Sequence, residues 1–201
     1  MMQALDWLAW LACVFYSTIP LFWLLIHGRA GHWRARRRSP YRVLVPYGFT
    51  LWITMAAATW SWHGVALYRR AIPWAVAAPL LYIGFYLYRC SSNNFTARQL
   101  GGLPEVRRGR PDEHLVTSGV RSRVRHPVYL AHLCEMLAWS IGSGLIICYV
   151  LTLFAMATGA IMIPMEDAEL EKRFGDEYRA YRKSVPALIP YRTGYNPRAD
   201  S

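Results

Sequence analysis

Apolar and polar positions are segregated along this chain rather than interleaved. Residues 4–26, 43–67 and 71–88 are long, nearly uncharged apolar runs. A fourth run, 127–163, contains one acidic residue, Glu135, and no Lys or Arg. A bilayer core takes about 20 apolar residues per helix, so each run is long enough to span one. The first three predict one helix each. Pro20, Pro46, Pro73 and Pro79 sit in or near them, and membrane helices tolerate such breaks when neighbours satisfy the freed carbonyls. As a single helix the fourth run would reach about 55 Å at 1.5 Å per residue, well beyond a hydrocarbon core of about 30 Å. It must turn back, and Gly142-Ser143-Gly144 is the natural break. The expected fold is an all-α integral membrane protein with five transmembrane helices, the last two a tight hairpin.

Beyond the hairpin, periodicity predicts an amphipathic C-terminal helix from Glu166 to Lys183. Leu170, Phe174, Tyr178 and Tyr181 recur at spacings that put them on one face. Glu166, Asp167, Glu169 and Glu171 load the first turns, and Arg179, Arg182 and Lys183 the last, an order that suits the helix dipole. Gly175 inside it costs about 1 kcal/mol relative to alanine, so it marks a close-packing point or a bend. Pro186 and Pro190 stop the helix ahead of a polar, mobile end. The whole chain, 1–201, reads as one domain: three transmembrane helices in 1–90, a loop over 91–126, the hairpin over 127–163 and the tail over 164–201. No internal repeat is visible. Trp7, Trp10, Trp60, Trp62, Trp74, Tyr86 and Tyr88 near run ends read as interfacial anchors.

Charge sets the orientation. The chain is 54% hydrophobic yet carries a net charge of +11. All but two of its 23 Lys and Arg fall in three blocks, 27–42, 89–126 and 166–201; the exceptions are Arg69 and Arg70. The positive-inside bias then makes those blocks cytoplasmic and places the amino terminus and Arg69 outside. It also accounts for the basic charge without nucleic acid, so no nucleic-acid partner is expected. No basic stretch precedes the first run, which argues against a cleavable signal. Arg-rich, Lys-poor usage points to a bacterial inner membrane. Cys13, Cys90, Cys134 and Cys148 form no CxxC pair and read as small buried hydrophobes, and neither they nor the histidines show metal-ligand spacing.

Chemistry concentrates at two places. Arg125-His126-Pro127-Val128-Tyr129 opens the fourth run. Proline suits the first helical position and holds the preceding histidine in an extended conformation. His126 is thereby set at the amino-terminal mouth of a spanning helix, where free N–H groups and the positive dipole end favour an anion, with Arg125 beside it. Glu166 and Asp167 follow the hairpin's second arm and so return to the same membrane surface. A bland alternative stands beside each reading. Arg-His-Pro also suits interfacial anchoring, Glu166 and Asp167 suit a helix amino terminus, and Tyr129 suits packing. His63 and His132 read as hydrogen-bonded interior residues. Glu135 is harder to dismiss, because an intramembrane carboxylate is costly and usually functional or paired.

Taken in order, these elements form a recognisable pattern: Leu115-Val116-Thr117-Ser118-Gly119, then Arg125-His126-Pro127-x-Tyr129, an apolar hairpin, Glu166-Asp167-x-x-Leu170-x-x-x-Phe174-Gly175-x-x-Tyr178-x-x-Tyr181, and Val185-Pro186. Over roughly residues 95–190 the chain resembles the isoprenylcysteine carboxyl methyltransferase family, which is related to the membrane phospholipid methyltransferases. The resemblance implies a cytoplasmic S-adenosylmethionine pocket closed by the tail helix. His114, Leu115, Val116, Arg125, His126, Pro127, Val128, Tyr129, Glu166 and Asp167 would contact the cofactor. It also implies a lipophilic acceptor entering from the membrane lipids. The chain departs from the family in three places: Arg121 follows the Ser-Gly turn where an aromatic residue is common, Met162 stands where the family carries an arginine near the acceptor, and the second acidic position is Asp167 rather than Glu. Arg121 is the candidate replacement for that cation, and Glu135 the candidate proton relay. Rival readings are a phospholipid amine, fatty-acid or small-thiol methyltransferase of the same fold, and a non-catalytic lipid-binding protein.

Overall fold

The structure, a computed structural model, describes residues 2–35, 39–92 and 114–190. Residues 36–38, most of the loop expected over 91–126 and the end after Pro190 lie outside the described residues. Helix α1 runs from Met2 to Gly28, α2 from Ala30 to Ala35, and α3 from Tyr41 to Thr59 with a 3₁₀ turn at Trp60–Trp62. Then come α4, Pro73–Ser92, and a 3₁₀ turn at Gly119–Ser122. The chain continues through α5, Pro127–Ser143, α6, Ile146–Phe174, and α7, Asp176–Ser184. Among the described residues, three helices are long and apolar enough to cross a membrane: α1, α3 with its 3₁₀ extension, and α6. Helices also form where the other two spans were expected, as α4 and α5.

Helix α1 is the spine. It packs against α6, α5 and α3, while α4 lies along α5. Small residues allow that last approach: a Cβ at Gly84 would meet Glu135 Cγ at 2.6 Å, and one at Gly142 would meet the Trp74 ring at 2.6 Å. The main core joins Trp10, Cys13 and Val14 of α1 to Met136, Cys148 and Leu151 of the hairpin. Trp10 is therefore a core residue, only 2% exposed, and its Nε1 donates to Thr59 Oγ1 at 3.0 Å. It is not the interfacial anchor its position suggested.

The hairpin turns where expected. Gly144 has φ +69°, and a Cβ there would lie 2.6 Å from Tyr68 O, so only glycine fits both the backbone and the space. The segment joining α3 to α4 straps across this turn: Leu67 N donates to Gly144 O at 2.8 Å and Ile146 N to Val65 O at 3.0 Å. Arg69 pairs with Asp6 near the start of α1 and donates to Gly64 O at 2.8 Å. Arg69 thus sits at the Gly144 end of α5, the end opposite His126.

The tail differs from the expected single helix over Glu166–Lys183. Helix α6 continues unbroken from the apolar run through Pro164 to Phe174, about 43 Å of helix for its length, and so carries Glu166 and Asp167 past the apolar part. It ends at Gly175, whose φ +59° and ψ −129° reverse the chain into α7. Nothing lies within 4 Å of a Cβ built at Gly175, so this glycine serves a bend and not a close contact. The bend folds Tyr178 and Tyr181 back onto Leu170 and Phe174, with Leu115 and Val185 completing the cluster.

Candidate cofactor and acceptor cavity

His126 and Glu166 meet at one end of the bundle. His126 precedes Pro127 with φ −116° and ψ +63°, the non-helical conformation that a following proline imposes. Its Nδ1 lies 3.5 Å from Glu166 Oε2, and its Nε2 lies 2.9 Å from Asp167 Oδ1. Asp167 is the hub of this end. Its other oxygen takes Arg125 Nη2 at 2.8 Å, and Tyr178 of α7 donates to Oδ1 beside His126. Arg125 further donates to the carbonyls of Arg182, at 3.1 Å, and Val185. A buried carboxylate paired and hydrogen-bonded on all sides is the arrangement that offsets the cost of desolvating it.

The two residues that lead into α5 are tied to the segment after α7. Arg125 N donates to Pro186 O at 2.9 Å and His126 N to Ala187 O at 3.0 Å. The chain after α7 thus braces the residues that lead into α5. Arg121 reinforces the closure: its Nη1 donates to Arg125 O at 2.9 Å and its carbonyl accepts from Tyr181 OH at 2.7 Å. Burial lowers the pKa of Arg121, an effect opposed by Tyr181 and Glu166 nearby. Burial raises that of Tyr178, helped by Asp167, and burial pushes Tyr181 up to about 12.

A cavity of about 880 Å³ opens from this end into the bundle. Of the expected residues, His114, Leu115, Val116, Arg121, Arg125, His126, Val128, Tyr129 and Glu166 line it. Pro127, Asp167 and Glu135 do not. Proline 127 shapes the mouth, and Asp167 stands behind His126. Glu135 accepts a hydrogen bond from Tyr16 OH of α1, and it is Tyr16 that faces the cavity. Met162 is buried, 1% exposed, and is likewise no part of the lining.

The cavity has two characters. Its polar end holds Arg121, Arg125, His126, Glu166, Tyr178 and Tyr181; its other half runs between α1 and α3 past Phe15, Ile19, Phe22, Phe49, Leu51 and Trp52. Phe15 and Phe49 line this half and are 54% and 61% exposed. The contributions of α1 and α3 were absent from the sequence reading, which took Tyr88 as an interfacial anchor and His132 as an interior residue rather than as lining. Only the interruption of apolar runs by aromatic and polar residues pointed to them. His132 is also not the hydrogen-bonded residue expected: its contacts are with the rings of Tyr16, Tyr88 and Tyr129. His63, by contrast, does bond, through Nδ1 to Trp60 O. Among the described residues no cluster of His, Cys, Asp and Glu is placed to hold a metal.

Comparison with known proteins bears on this site. The chain is 35% identical over 89 residues to protein-S-isoprenylcysteine O-methyltransferase B of Arabidopsis thaliana, covering 41% of this chain and 43% of that protein. It is 36% identical over 95 residues to the protein-S-isoprenylcysteine O-methyltransferase of Xenopus laevis, covering 44% of this chain and 32% of that protein. The human protein of the same name is 34% identical over 97 residues, again 44% and 32%. The chain therefore spans less than half the length of these curated relatives. No family profile matches it, and no solved structure does.

Proposed function

We propose that this chain is an integral membrane methyltransferase that uses S-adenosylmethionine and acts on a lipophilic acceptor in the manner of the isoprenylcysteine O-methyltransferases it resembles. The observation that carries the reading is the cavity's division into a polar end and an apolar half. At about 880 Å³ it lies in the upper range of small-molecule sites. In this reading the five helices α1, α3, α4, α5 and α6 all cross the membrane, with the His126 end on the cytoplasmic side of a bacterial inner membrane.

The residues present fit the cofactor. Glu166 Oε2 is buried and has no hydrogen-bond partner among the described residues, a state that costs about 1–3 kcal/mol unless a ligand donor or water relieves it. A nucleoside with an amino-acid tail offers hydroxyl and ammonium donors of that kind. Glu166 would take such a donor, His126 and Tyr129 would border the ring system, and Leu115 and Val116 would supply its apolar wall. His114 lines the same end. When bound, the sulfonium would supply an electrophilic methyl group for in-line attack by the acceptor, with S-adenosylhomocysteine as the leaving group.

The protein's task is then positional, and fixing two reactants in attack geometry is worth about 7–11 kcal/mol. Arg121 offers the cation that would orient an anionic acceptor head. Asp167 holds His126 and Arg125 in place. The apolar half receives the acceptor's chain from the bilayer, so that chain never crosses water. Glu135 acts through Tyr16 and not by direct contact. Calorimetric titration of the purified protein with S-adenosylmethionine and S-adenosylhomocysteine tests the assignment. Binding in the wild type that is lost in Glu166→Ala and His126→Ala is the expected result. Equal affinity in all three proteins refutes the site.

A further inference from the structure

Polar residues recur every third position along α5: His126, Tyr129, His132 and Glu135. Neighbours at that spacing adjoin on the helix surface, but the row turns by about 60° per step, so Tyr129 and His132 lead along the cavity while Glu135 lies off it. Past Tyr129 the surroundings are Phe15, Ile19, Leu51 and Trp52, yet a small polar group persists there. The His132 ring centroid lies 5.1 Å from Tyr16, 5.3 Å from Tyr88 and 6.2 Å from Tyr129. Tyr16, Tyr88, Tyr129 and His132 all line the cavity. Tyr16 is fixed by its hydrogen bond to Glu135. No hydrogen bond to a described residue satisfies either ring nitrogen of His132.

An imidazole between phenols, without a partner and inside apolar walls, is expensive unless something polar meets it. We infer that His132, Tyr16 and Tyr88 form a seat for a neutral oxygen function carried partway along the acceptor's lipid chain. The inference rests on the proposed methyltransferase reading and narrows its substrate class. An anion is disfavoured there because the Glu135 carboxylate stands directly behind Tyr16, and a bare hydrocarbon would leave the imidazole unpaired. A hydroxyl suits the seat best, since it can donate to one group and accept from another. The seat is one helical turn beyond Tyr129, so the oxygen belongs to the chain and not to the methylated head.

The test uses the full chain in lipid nanodiscs saturated with S-adenosylhomocysteine. The probes are N-acetyl-S-dodecylcysteine and a series bearing one hydroxyl at successive carbons of the dodecyl chain. One or two adjacent hydroxyl positions should bind about tenfold more tightly than the plain chain, the size of one buried hydrogen bond. His132→Phe should abolish the preference and Tyr88→Phe should reduce it. If His132→Phe does not fold, Tyr88→Phe decides. A plain chain bound as tightly as every analogue overturns the seat, as does a preference that survives either substitution at full size. The heat of S-adenosylhomocysteine binding in the same samples separates the two readings. Its presence with no chain preference sinks the seat alone, and its absence sinks the methyltransferase reading and this inference with it.

Discussion

His126 Nε2 and Asp167 Oδ1 lie 2.9 Å apart, although one residue opens α5 and the other sits most of the way along α6. Both are buried, so the contact locks the amino-terminal mouth of one hairpin arm to the far end of the other. Arg125 and Tyr178 share the same carboxylate, which ties the tail into the lock. Removing it leaves a buried arginine without its carboxylate. Asp167→Ala should cost about 3–5 kcal/mol of stability and weaken S-adenosylmethionine binding at the same time. Asp167→Asn keeps the size but loses the charge and should fall between. Thermal unfolding in detergent, with and without S-adenosylhomocysteine, checks both. A variant with wild-type melting temperature and affinity would remove Asp167 from the account.

Glu166 should behave in the opposite way. Its Oε2 has no hydrogen-bond partner among the described residues and only a 3.5 Å approach to His126 Nδ1, so little of the fold depends on it. Glu166→Ala should leave the melting temperature of the free protein unchanged or raise it slightly. Affinity for S-adenosylmethionine should fall by about one to two orders of magnitude, the worth of a hydrogen bond to a charged group. The contrast with Asp167 is the informative measurement, because adjacent carboxylates in one helix are assigned separate tasks.

Much of this arrangement was legible in the sequence. Apolar runs and their lengths located the helices, and Gly142-Ser143-Gly144 located the hairpin turn, because bilayer thickness and backbone geometry constrain both locally. The Arg-His-Pro and Glu-Asp pairs were legible as a site because the hairpin's length returns them to one surface. What could not be read was which side of a wall each side chain takes. Asp167 lies behind His126 and Glu135 behind Tyr16, and both placements depend on how α1, α5 and α6 rotate against each other. The same is true of Tyr88 and Trp10, whose positions near run ends suggested interfacial anchors while packing turned them inward. Nor does period 3.6 distinguish a continuous amphipathic helix from one reversed at a glycine, so the break at Gly175 appeared only as a cost.

Two of the three positive-φ glycines among the described residues, Gly144 and Gly175, should therefore separate in their effects. At Gly144 a side chain meets both a φ of +69° and Tyr68 O at 2.6 Å, so Gly144→Ala should lower folded yield and melting temperature sharply. At Gly175 the φ is +59° but the space around a Cβ is open. Gly175→Ala should cost only the backbone penalty of a sparsely populated conformation, about 1–3 kcal/mol. That penalty should appear in the docking of α7: faster tryptic cleavage near Arg179 and weaker cofactor binding, with the melting temperature of the bundle little changed.

Alkaline pH should release the same helix. Burial holds the hydroxyls of Tyr178 and Tyr181 neutral well above the usual range near 10, Tyr181 to about 12. Because both folded-state values are raised, their contribution is complete below pH 10 and is lost as pH rises toward and through 12. Tryptic release of α7 should thus stay slow through pH 10 and accelerate above it. Tyr181→Phe should flatten the part of that rise nearest pH 12. An unchanged profile in Tyr181→Phe would mean that another group governs the release.

The cation for the acceptor can be located by exchange. Met162 is buried and does not line the cavity, so Met162→Arg places a charge in packed surroundings with no carboxylate assigned to it. It should destabilise by several kcal/mol and should not restore function. Arg121 lines the cavity, and Tyr181 and Glu166 act on it electrostatically. Arg121→Ala should reduce methyl transfer to a carboxylate acceptor by about tenfold or more in kcat/KM, with a smaller effect on cofactor affinity. Arg121→Lys keeps the charge but not the planar fork that pairs with a carboxylate, and should recover only part of the loss. Labelled methyl incorporation into N-acetyl-S-farnesylcysteine measures all three. If Arg121→Ala is as active as the wild type while Met162→Arg gains activity, the cation belongs on α6 and the assignment to Arg121 is wrong.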